Sequence, residues 1–544
     1  MKKKFIRKRL IFSIIFLMVF IFFIFSGCKK SKFSRLISYS FSDTATNLDP
    51  QTAYKSEEIT IINNIFEGLY KKSKNGGYEL GIAKEVIKSD DGRKLTFKLK
   101  DNLFWTGENK KFKLTAKDFV FAFKRLIDSK TNSPFAANYF FIKNAKNINE
   151  NKASIDSLGA FEDGNNNLVL ELEYMPAILE ELLAATPAMP CNKEFFESTK
   201  GRYGTTKENI ISNGPFCLRM WSIEKNTTKY RIRKNSQYHD KNLVNIIGVN
   251  FSVKTKEESF NLFKNNEINT AIVNSNQFKL LNKNLIKTTP FQNKVNGIIF
   301  NQKDIFFKNP KTLVAMANAV DKNKIYDKLP LNQTLADNII PKSISILNES
   351  YNSVRPQEKC CPKYNPTEAK SLFNIAKQET KNINKNFDIN SYSILTKDTT
   401  NPILNQILQT WQKDLNFFLK IDNQDNEQFE TKLKKGQFSC ALITLNSNFN
   451  SPLSILQQFS LNSPFNYANY EIENYDEKLR YAANQQEKSK ITENFFNIEK
   501  ELCNNGYFIP ITFETEYFVS SNKFENILFN PANQEFYYAY TTTK

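Results

Sequence analysis

Histidine and glycine are scarce in this chain. Its 544 residues include one histidine, His239, and only 16 glycines. A single histidine excludes most catalytic arrangements that pair a nucleophile with a histidine base, and most zinc sites. No G-x-S-x-G, H-E-x-x-H, Walker A or G-x-G-x-x-G pattern occurs. We therefore expect no enzymatic activity, no cofactor and no metal site.

Carboxylates are the one catalytic residue type in good supply. Acidic pairs such as Glu57-Glu58 and Glu180-Glu181 are frequent, and two carboxylates suffice for a glycosidase. Because nothing in the sequence singles out one pair, we interpret these acids as parts of solvated helix faces. His239 is interpreted in the same way, as a surface substitution rather than a ligand.

Cysteine spacing and charge exclude two further classes. Besides Cys28 there are six cysteines, no C-x-x-C pattern, and an adjacent pair, Cys360-Cys361, whose spacing suits neither a zinc site nor a redox dithiol. We predict structural cysteines, paired or free. The formal net charge is +19, but six of the positive residues precede residue 10 and the remaining lysines are scattered. We therefore expect no nucleic-acid partner.

Residues 1–27 have the pattern of a lipoprotein signal peptide. A basic segment precedes an apolar run over residues 10–25, which is interrupted only by Ser13. The run is short for a membrane-spanning helix, which needs about 20 residues, and fits a signal peptide. Gly27-Cys28 resembles the lipobox of bacterial lipoproteins, so we predict Cys28 as the lipidation site. The alternative is an uncleaved anchor helix; in both cases the body lies at a membrane, outside the cytoplasm.

Residues 91–126 predict a strand followed by a helix. Leu95, Phe97 and Leu99 alternate with polar residues, as in a half-buried strand. Thr115 and Asp118 have the spacing of a helix N-cap and its acidic partner, and the next apolar residues share one helical face.

This segment also carries a family resemblance. D-G-x-x-x-T-F-x-L-K, a tryptophan and T-A-x-D-F-V-x-x-x-x-R-L resemble the oligopeptide and dipeptide solute-binding proteins of bacterial ABC importers, the family 5 extracellular solute-binding lipoproteins. Further matching segments follow in the same order over about residues 40–540. They are the N-L-D-P of 47–50, the F-E-G-L of 66–69, the S-P-F-A of 133–136, the N-G-P-F of 213–216, the Y-N-P-T-E-A-K of 364–370 and the strand 508–513.

The resemblance implies an α/β, bilobal periplasmic-binding-protein fold of type II. Mixed sheets in two lobes would be joined by two crossover strands, with an extra subdomain on lobe one. The expected limits are 1–27 for the signal peptide, 28–289 for lobe one with an insertion at about 76–205, 290–507 for lobe two, and 508–544 for the return to lobe one. The implied function is a membrane-anchored, monomeric receptor that closes on a peptide or peptide-like ligand and delivers it to an importer permease.

The resemblance also implies a ligand site, and there the sequence departs from the family. The implied residues are Tyr54, Ser56, Phe135, Asn426, Leu442, Thr444, Asn446, Asn448 and Phe513. In peptide-binding members an aspartate pairs with the peptide's amino group, with an arginine nearby; here these positions hold Asn448 and Leu442.

Several alternatives to the family's ligand contact stay open. Asn448 can still accept a hydrogen bond from an amine, and another acid, such as Asp425 or Glu427, can serve instead. The ligand can also be a solute other than a peptide. A surface lipoprotein that keeps the fold but acts in adhesion or signalling is the alternative function.

Overall fold

The computed structural model describes residues 35–107, 111–224, 227–447 and 449–544. The predicted signal peptide over 1–27, the lipidation site Cys28 and the ligand residue Asn448 lie outside the described residues. Within the described part of the chain, no helix combines the length and apolar character that crossing a membrane requires.

The first lobe is built on a mixed sheet of seven strands. Its central strand, Leu36–Phe41, pairs in parallel with Gly248–Val253 along its whole length and, at Tyr39, with the strand that begins at Thr270. In spatial order the strands are Phe216–Glu224, Thr227–Lys234, Gly248–Val253, Leu36–Phe41, Thr270–Asn274, Glu516–Ser521 and Ile286–Phe291.

The second lobe has a mixed sheet of six strands. In spatial order they are Gln333–Leu335, Ile509–Glu514, Lys294–Phe300, Cys440–Asn446, Ser393–Thr396 and Lys420–Asn423. The chain passes from the first sheet to the second between Phe291 and Lys294 and returns between Glu514 and Glu516. The predicted α/β class with two sheet-based lobes is thereby confirmed, whereas the domain limits at residues 290 and 508 stay predictions.

A four-stranded antiparallel sheet forms the core of the subdomain on lobe one. Its strands in spatial order are Ala83–Lys88, Lys94–Leu99, Asn167–Glu171 and Ala160–Glu162. The helix Ala116–Ile127 packs against this sheet and begins after Thr115, whose N–H donates to Asp118 Oδ2 at 2.7 Å. The strand and the capped helix predicted within residues 91–126 are both confirmed.

A buried ion pair links two of the sequence motifs. The guanidinium of Arg125 contacts both carboxylate oxygens of Asp49, Nη1 to Oδ1 at 3.1 Å and Nη2 to Oδ2 at 2.5 Å. Nη1 also donates to Gln51 Oε1 at 2.6 Å, and the guanidinium lies 4.0 Å from the ring centre of Phe196. The L-D-P turn is therefore tied to the subdomain helix by a bidentate pair.

The remaining elements are short strand pairs and helices. The strand pairs are Tyr70–Lys72 with Tyr78–Leu80, Phe104–Thr106 with Lys111–Lys113, Ser345–Ile346 with Glu349–Ser350, Phe524–Glu525 with Thr542–Thr543, and Leu528–Asn530 with Glu535–Tyr537. The other described α-helices are Ser56–Ile65, Ala145–Asn149, Leu179–Ala184, Lys193–Ser198, Lys256–Lys264, Ser275–Lys279, Ile305–Lys308, Pro310–Asn318, Lys322–Tyr326, Tyr351–Val354, Pro366–Ile383, Pro402–Leu415, Asn426–Lys435, Pro452–Leu456, Tyr475–Ala483 and Lys488–Asn504.

Candidate functional site

A cavity of about 1170 Å³ lies between the two lobes. Lobe one contributes the N-terminal turn of helix Ser56–Ile65. Lobe two contributes strands of its sheet and the first turns of helices Pro402–Leu415 and Asn426–Lys435. Ligand pockets for small molecules are typically about 300–1,000 Å³. This cleft is therefore large enough for a ligand of several residues.

One face of the strand Cys440–Asn446 is directed at the cavity. Leu442 is half-buried and Thr444 and Asn446 are exposed, whereas the residues between them are buried. Side chains alternate between the two faces of a strand. Three of the predicted ligand residues, Leu442, Thr444 and Asn446, therefore share the face that lines the cleft.

A row of polar side chains crosses this face on three neighbouring strands. Thr444 Oγ1 donates to Asn296 Oδ1 at 2.7 Å, and Asn296 Nδ2 donates to Thr512 Oγ1 at 3.2 Å. Asn296 and Thr512 also line the cavity, and the sequence reasoning missed both. Only the pairing of the strands brings them beside Thr444, so no local pattern identifies them.

The backbone of the same strand is open along one side. Residues 442–446 pair with residues 294–298, but the neighbouring strand Ser393–Thr396 reaches only Cys440 and Ala441. No other strand in the described residues pairs with this side. All of residues 442–447 line the cavity, and the Asn446 carbonyl accepts from Gln458 Nε2 at 2.8 Å. The cleft therefore contains an unpaired strand edge, which can pair with an extended chain.

Lobe one faces this edge with Tyr54, Ser56 and Glu57. The Tyr54 ring is 39% exposed and lies 6.0 Å from the ring of Phe465, centre to centre and nearly perpendicular. This aromatic contact joins the lobes at the cavity. Glu57 is buried and accepts from Ser56 Oγ at 3.0 Å and from Gln277 Nε2 at 3.0 Å.

Four of the charged residues that line the cleft form two ion pairs. Lys55 contacts Asp43 at 2.8 Å and Lys397 contacts Glu430 at 3.4 Å. Burial lowers the pKa of Lys55, but the hydrogen bond and the charge of Asp43 outweigh it, so this pKa lies above its ordinary value. The cleft therefore presents both signs of charge without a strong excess of either.

The other predicted ligand residues fall in different places. Asn426, in the first turn of its helix, lines the main cavity, as does Ser56, whereas Phe135 lines a separate cavity of about 40 Å³. Phe513 is 4% exposed and lines neither cavity. Since Thr512 takes the cleft-facing position beside Asn296, Phe513 falls on the opposite, buried face of the strand.

The two acids that can substitute for the family's aspartate also differ in position. Asp425 caps the helix Asn426–Lys435 and accepts from the Gln428 N–H at 2.9 Å. It does not line the main cavity, whereas the exposed Glu427 does.

Comparisons with known proteins agree with this architecture. The sequence model described as bacterial extracellular solute-binding proteins, family 5 Middle, matches residues 77–467. The dipeptide-binding protein of Lactococcus lactis subsp. cremoris (strain MG1363) is 25% identical over 509 residues, which cover 90% of this chain and 90% of that protein. The periplasmic murein peptide-binding protein MppA of Escherichia coli (strain K12) is 24% identical over 496 residues, 89% of each chain.

A solved structure extends the comparison to the fold. The structure of Listeria monocytogenes OppA bound to peptide superposes with a TM-score of 0.77 at 22% identity, and the match covers 94% of this chain and 99% of that chain. The matched family consists of extracellular solute-binding proteins. The expectations of a binding protein rather than an enzyme, and of a place outside the cytoplasm, are confirmed. The chain belongs to the bacterial extracellular solute-binding proteins, family 5.

Proposed function

We propose that this protein is a lipid-anchored receptor that captures a peptide or peptide-like ligand between its lobes and delivers it to the permease of an ABC importer. The observation that carries the proposal is the open strand edge at residues 442–446, which borders the cleft of about 1170 Å³. An extended peptide bound there would add one strand to the sheet. Its main chain would supply affinity, and its side chains would enter the surrounding space.

The lining of the cleft supports tolerance for different side chains. Threonine, asparagine and serine side chains line the cavity together with charged residues of both signs. Such polar walls hold water, and ordered water can bridge a ligand to the protein at little cost. The ligands named for the relatives, a dipeptide and a murein peptide, support a peptide ligand for this chain as well.

Lobe closure is proposed from the way the chain joins its sheets. Within the part of the chain that the structure describes, two short passages alone, at residues 292–293 and 515, connect the two large sheets. Closure around a hinge needs only a few residues that absorb the change in backbone angles. In an open state Tyr54 and Phe465 would separate. Anchoring rests on the lipobox pattern at Cys28, and delivery to a permease rests on the family.

The proposed mode of binding is tested with a peptide pair that differs only in backbone donors. Titration calorimetry would compare penta-alanine with an analogue methylated at two alternate peptide nitrogens. Two lost backbone hydrogen bonds, at about 0.5–1.5 kcal/mol each, should weaken binding by roughly 5- to 150-fold. As a control, exchanging one alanine for leucine or lysine should change the affinity by less than about tenfold.

The ligand class is tested by mass spectrometry of whatever molecule co-purifies with the protein. A peptide added at 100 times its Kd should stabilise the fold by about 2.7 kcal/mol. Equal binding of the methylated analogue would refute the strand-pairing mode. A non-peptide solute that co-purifies and stabilises the protein while peptides do not would refute the ligand class, and the lack of any stabilising solute would favour an adhesion or signalling role.

A further inference from the structure

The sheet of lobe one has two ends, and the cleft lies at one of them. The central strand, Leu36–Phe41, is followed by Ser42 and Asp43, which line the cleft. At the opposite end stands Arg35, whose carbonyl accepts from the Ile247 N–H at 2.9 Å. We call this end of the sheet the basal edge. It consists of Arg35 and the segments 234–247, 265–269, 282–285 and 522–525.

These segments precede or follow neighbouring strands of the seven-stranded sheet, and backbone hydrogen bonds hold them side by side. The Lys234 N–H donates to the Ile247 carbonyl at 2.9 Å, and the Asn269 N–H donates to the central strand at 2.9 Å. The Asn522 N–H donates to the Leu285 carbonyl at 3.1 Å. The basal edge is therefore one continuous surface, on the far side of the sheet from the ligand cleft.

Unpaired cations outnumber unpaired acids on the basal edge. All five of its lysine and arginine side chains are exposed and form no ion pair within the described residues; they are Arg35, Lys234, Lys241, Lys283 and Lys523. Of its acids, Asp240 contacts Lys71 at 3.8 Å and Glu525 contacts Lys287 at 3.4 Å. Glu267 is the one acid of the basal edge without a lysine partner in the described part of the chain. The basal edge therefore presents a net positive surface to its surroundings.

The place of Arg35 in the chain limits how far the basal edge can lie from a membrane. Cys28, the proposed lipidation site, precedes Arg35 by seven residues. Since an extended chain spans at most 3.3–3.6 Å per residue, this connection reaches about 25 Å at most. A lipid on Cys28 would thus keep Arg35 close to the headgroups, while the cleft lies at the other end of the sheet.

We propose that the basal edge is a docking surface for anionic lipid headgroups, on which the anchored body rests with its cleft directed away from the bilayer. The proposal goes beyond ligand capture and rests on the proposed anchoring at Cys28. Each lysine or arginine near an anionic bilayer strengthens binding by about fivefold, and the attraction fades within a Debye length of about 8–10 Å. Leu285, which is 61% exposed beside Lys283, can enter the interfacial layer. In this orientation, ligands reach the cleft from the solvent.

Lysine acetylation followed by mass spectrometry tests this contact on the full-length lipidated protein. The protein is anchored in vesicles of phosphatidylcholine, either alone or mixed with anionic phosphatidylglycerol. On the anionic vesicles, acetylation of the four basal-edge lysines should slow by at least about fivefold, the effect of one charge near such a surface. The internal controls are three exposed lysines of lobe two, Lys370, Lys413 and Lys420, whose acetylation should not change. In about 1 M salt, where the Debye length is about 3 Å, the difference should disappear.

A triple variant tests whether the positive charges hold the body on the bilayer. It combines Lys234→Gln, Lys241→Gln and Lys523→Gln and leaves Lys283 as the reporter. Lys283 should then be acetylated at nearly the same rate on both kinds of vesicle. The matched control replaces the three lobe-two lysines by glutamine and should keep the protection of Lys283.

The possible results separate this docking surface from the anchor and from ligand binding. Equal acetylation of the basal-edge lysines on both kinds of vesicle, with the protein still anchored, would overturn the docking surface and leave peptide capture untouched. Equal slowing at the lobe-two lysines, or protection that persists in high salt, would overturn it as well. A protein that washes off both kinds of vesicle would overturn the anchoring at Cys28 and, with it, the docking.

Discussion

Glu516 is the residue whose replacement tests the joint between the lobes most directly. It opens the strand that follows the return passage, is 4% exposed, and contacts Lys256 and Lys294 at 2.7 Å each. Lys294 begins the first strand of lobe two and lines the cleft. Lys294 follows the passage at residues 292–293, and Glu516 follows the passage at residue 515. Their ion pair therefore links the two connections between the lobes.

The size of this contribution follows from the pKa of Glu516. Burial raises this pKa, but Lys294 and Lys256 outweigh the effect and hold it at about 2, below the ordinary value of 4.5. The difference corresponds to about 3 kcal/mol in favour of the ionised, folded form. Breaking a buried ion pair typically costs about 3–5 kcal/mol. Since Lys256 is 57% exposed, water screens its share, and we expect a loss near the lower end for Glu516→Gln.

Urea denaturation of wild type and Glu516→Gln at several pH values measures this loss. The folded-state pKa lies below the unfolded one, so the stabilisation is complete above about pH 4.5 and disappears as the pH falls towards 2. The free energies of unfolding should differ by about 3 kcal/mol at pH 7 and converge near pH 2. The neighbouring half-buried Glu514, replaced by Gln, is the control. A difference below about 1 kcal/mol at pH 7, or one that does not depend on pH, would refute this reasoning.

Three further predictions concern the motifs, the mouth of the cleft and the anchor. Asp49→Asn should lower the free energy of unfolding by about 3–5 kcal/mol because it leaves the Arg125 charge buried and unpaired, and adding Arg125→Met should restore part of this loss in urea denaturation. Tyr54→Ala should weaken ligand binding by up to about tenfold in calorimetry, since an aromatic pair contributes about 0.5–1.5 kcal/mol, and combining it with Phe465→Ala should add little. Cys28→Ala should leave an unprocessed, unlipidated precursor by mass spectrometry; a mature product that still partitions into detergent would contradict the lipobox.

Sequence alone predicts local parts of the fold well. The alternating strand around Leu95, Phe97 and Leu99 and the capped helix after Thr115 depend on neighbours within a few residues, and both appear in the structure. Asn296 and Thr512 could not be found in this way. They reach Thr444 through strand pairing that includes an irregularity after Asn296, and such register is set by the whole sheet.

Buried polar residues are where sequence reasoning fails. His239, interpreted as a surface residue, is 10% exposed, and its Nε2 lies 2.5 Å from Glu67 Oε1, a residue 172 positions away. Glu58, interpreted as part of a solvated face, is 1% exposed and accepts from the N–H groups of Thr46 and Asn47. In both cases the partner that makes burial tolerable comes from another segment, so periodicity along the chain carries no sign of it.

These buried acids bear on where a ligand's positive charge can bind. The acids around the cleft and the small cavity that already contact a lysine are Asp43, Glu430, Glu516 and Glu535. Among the buried carboxylates that line either cavity, Glu57 has no salt bridge within the described residues.

The hydrogen-bond partners of Glu57 are neutral, and this yields the last prediction. Glu57 accepts hydrogen bonds from Ser42, Ser56 and Gln277. A carboxylate that is already satisfied gains less from an incoming ammonium than one with an unpaired oxygen. Glu57→Gln should therefore weaken free and acetylated penta-alanine to the same extent, within about threefold of each other. A selective loss of the free peptide in calorimetry would instead make Glu57 the acid that binds the amine.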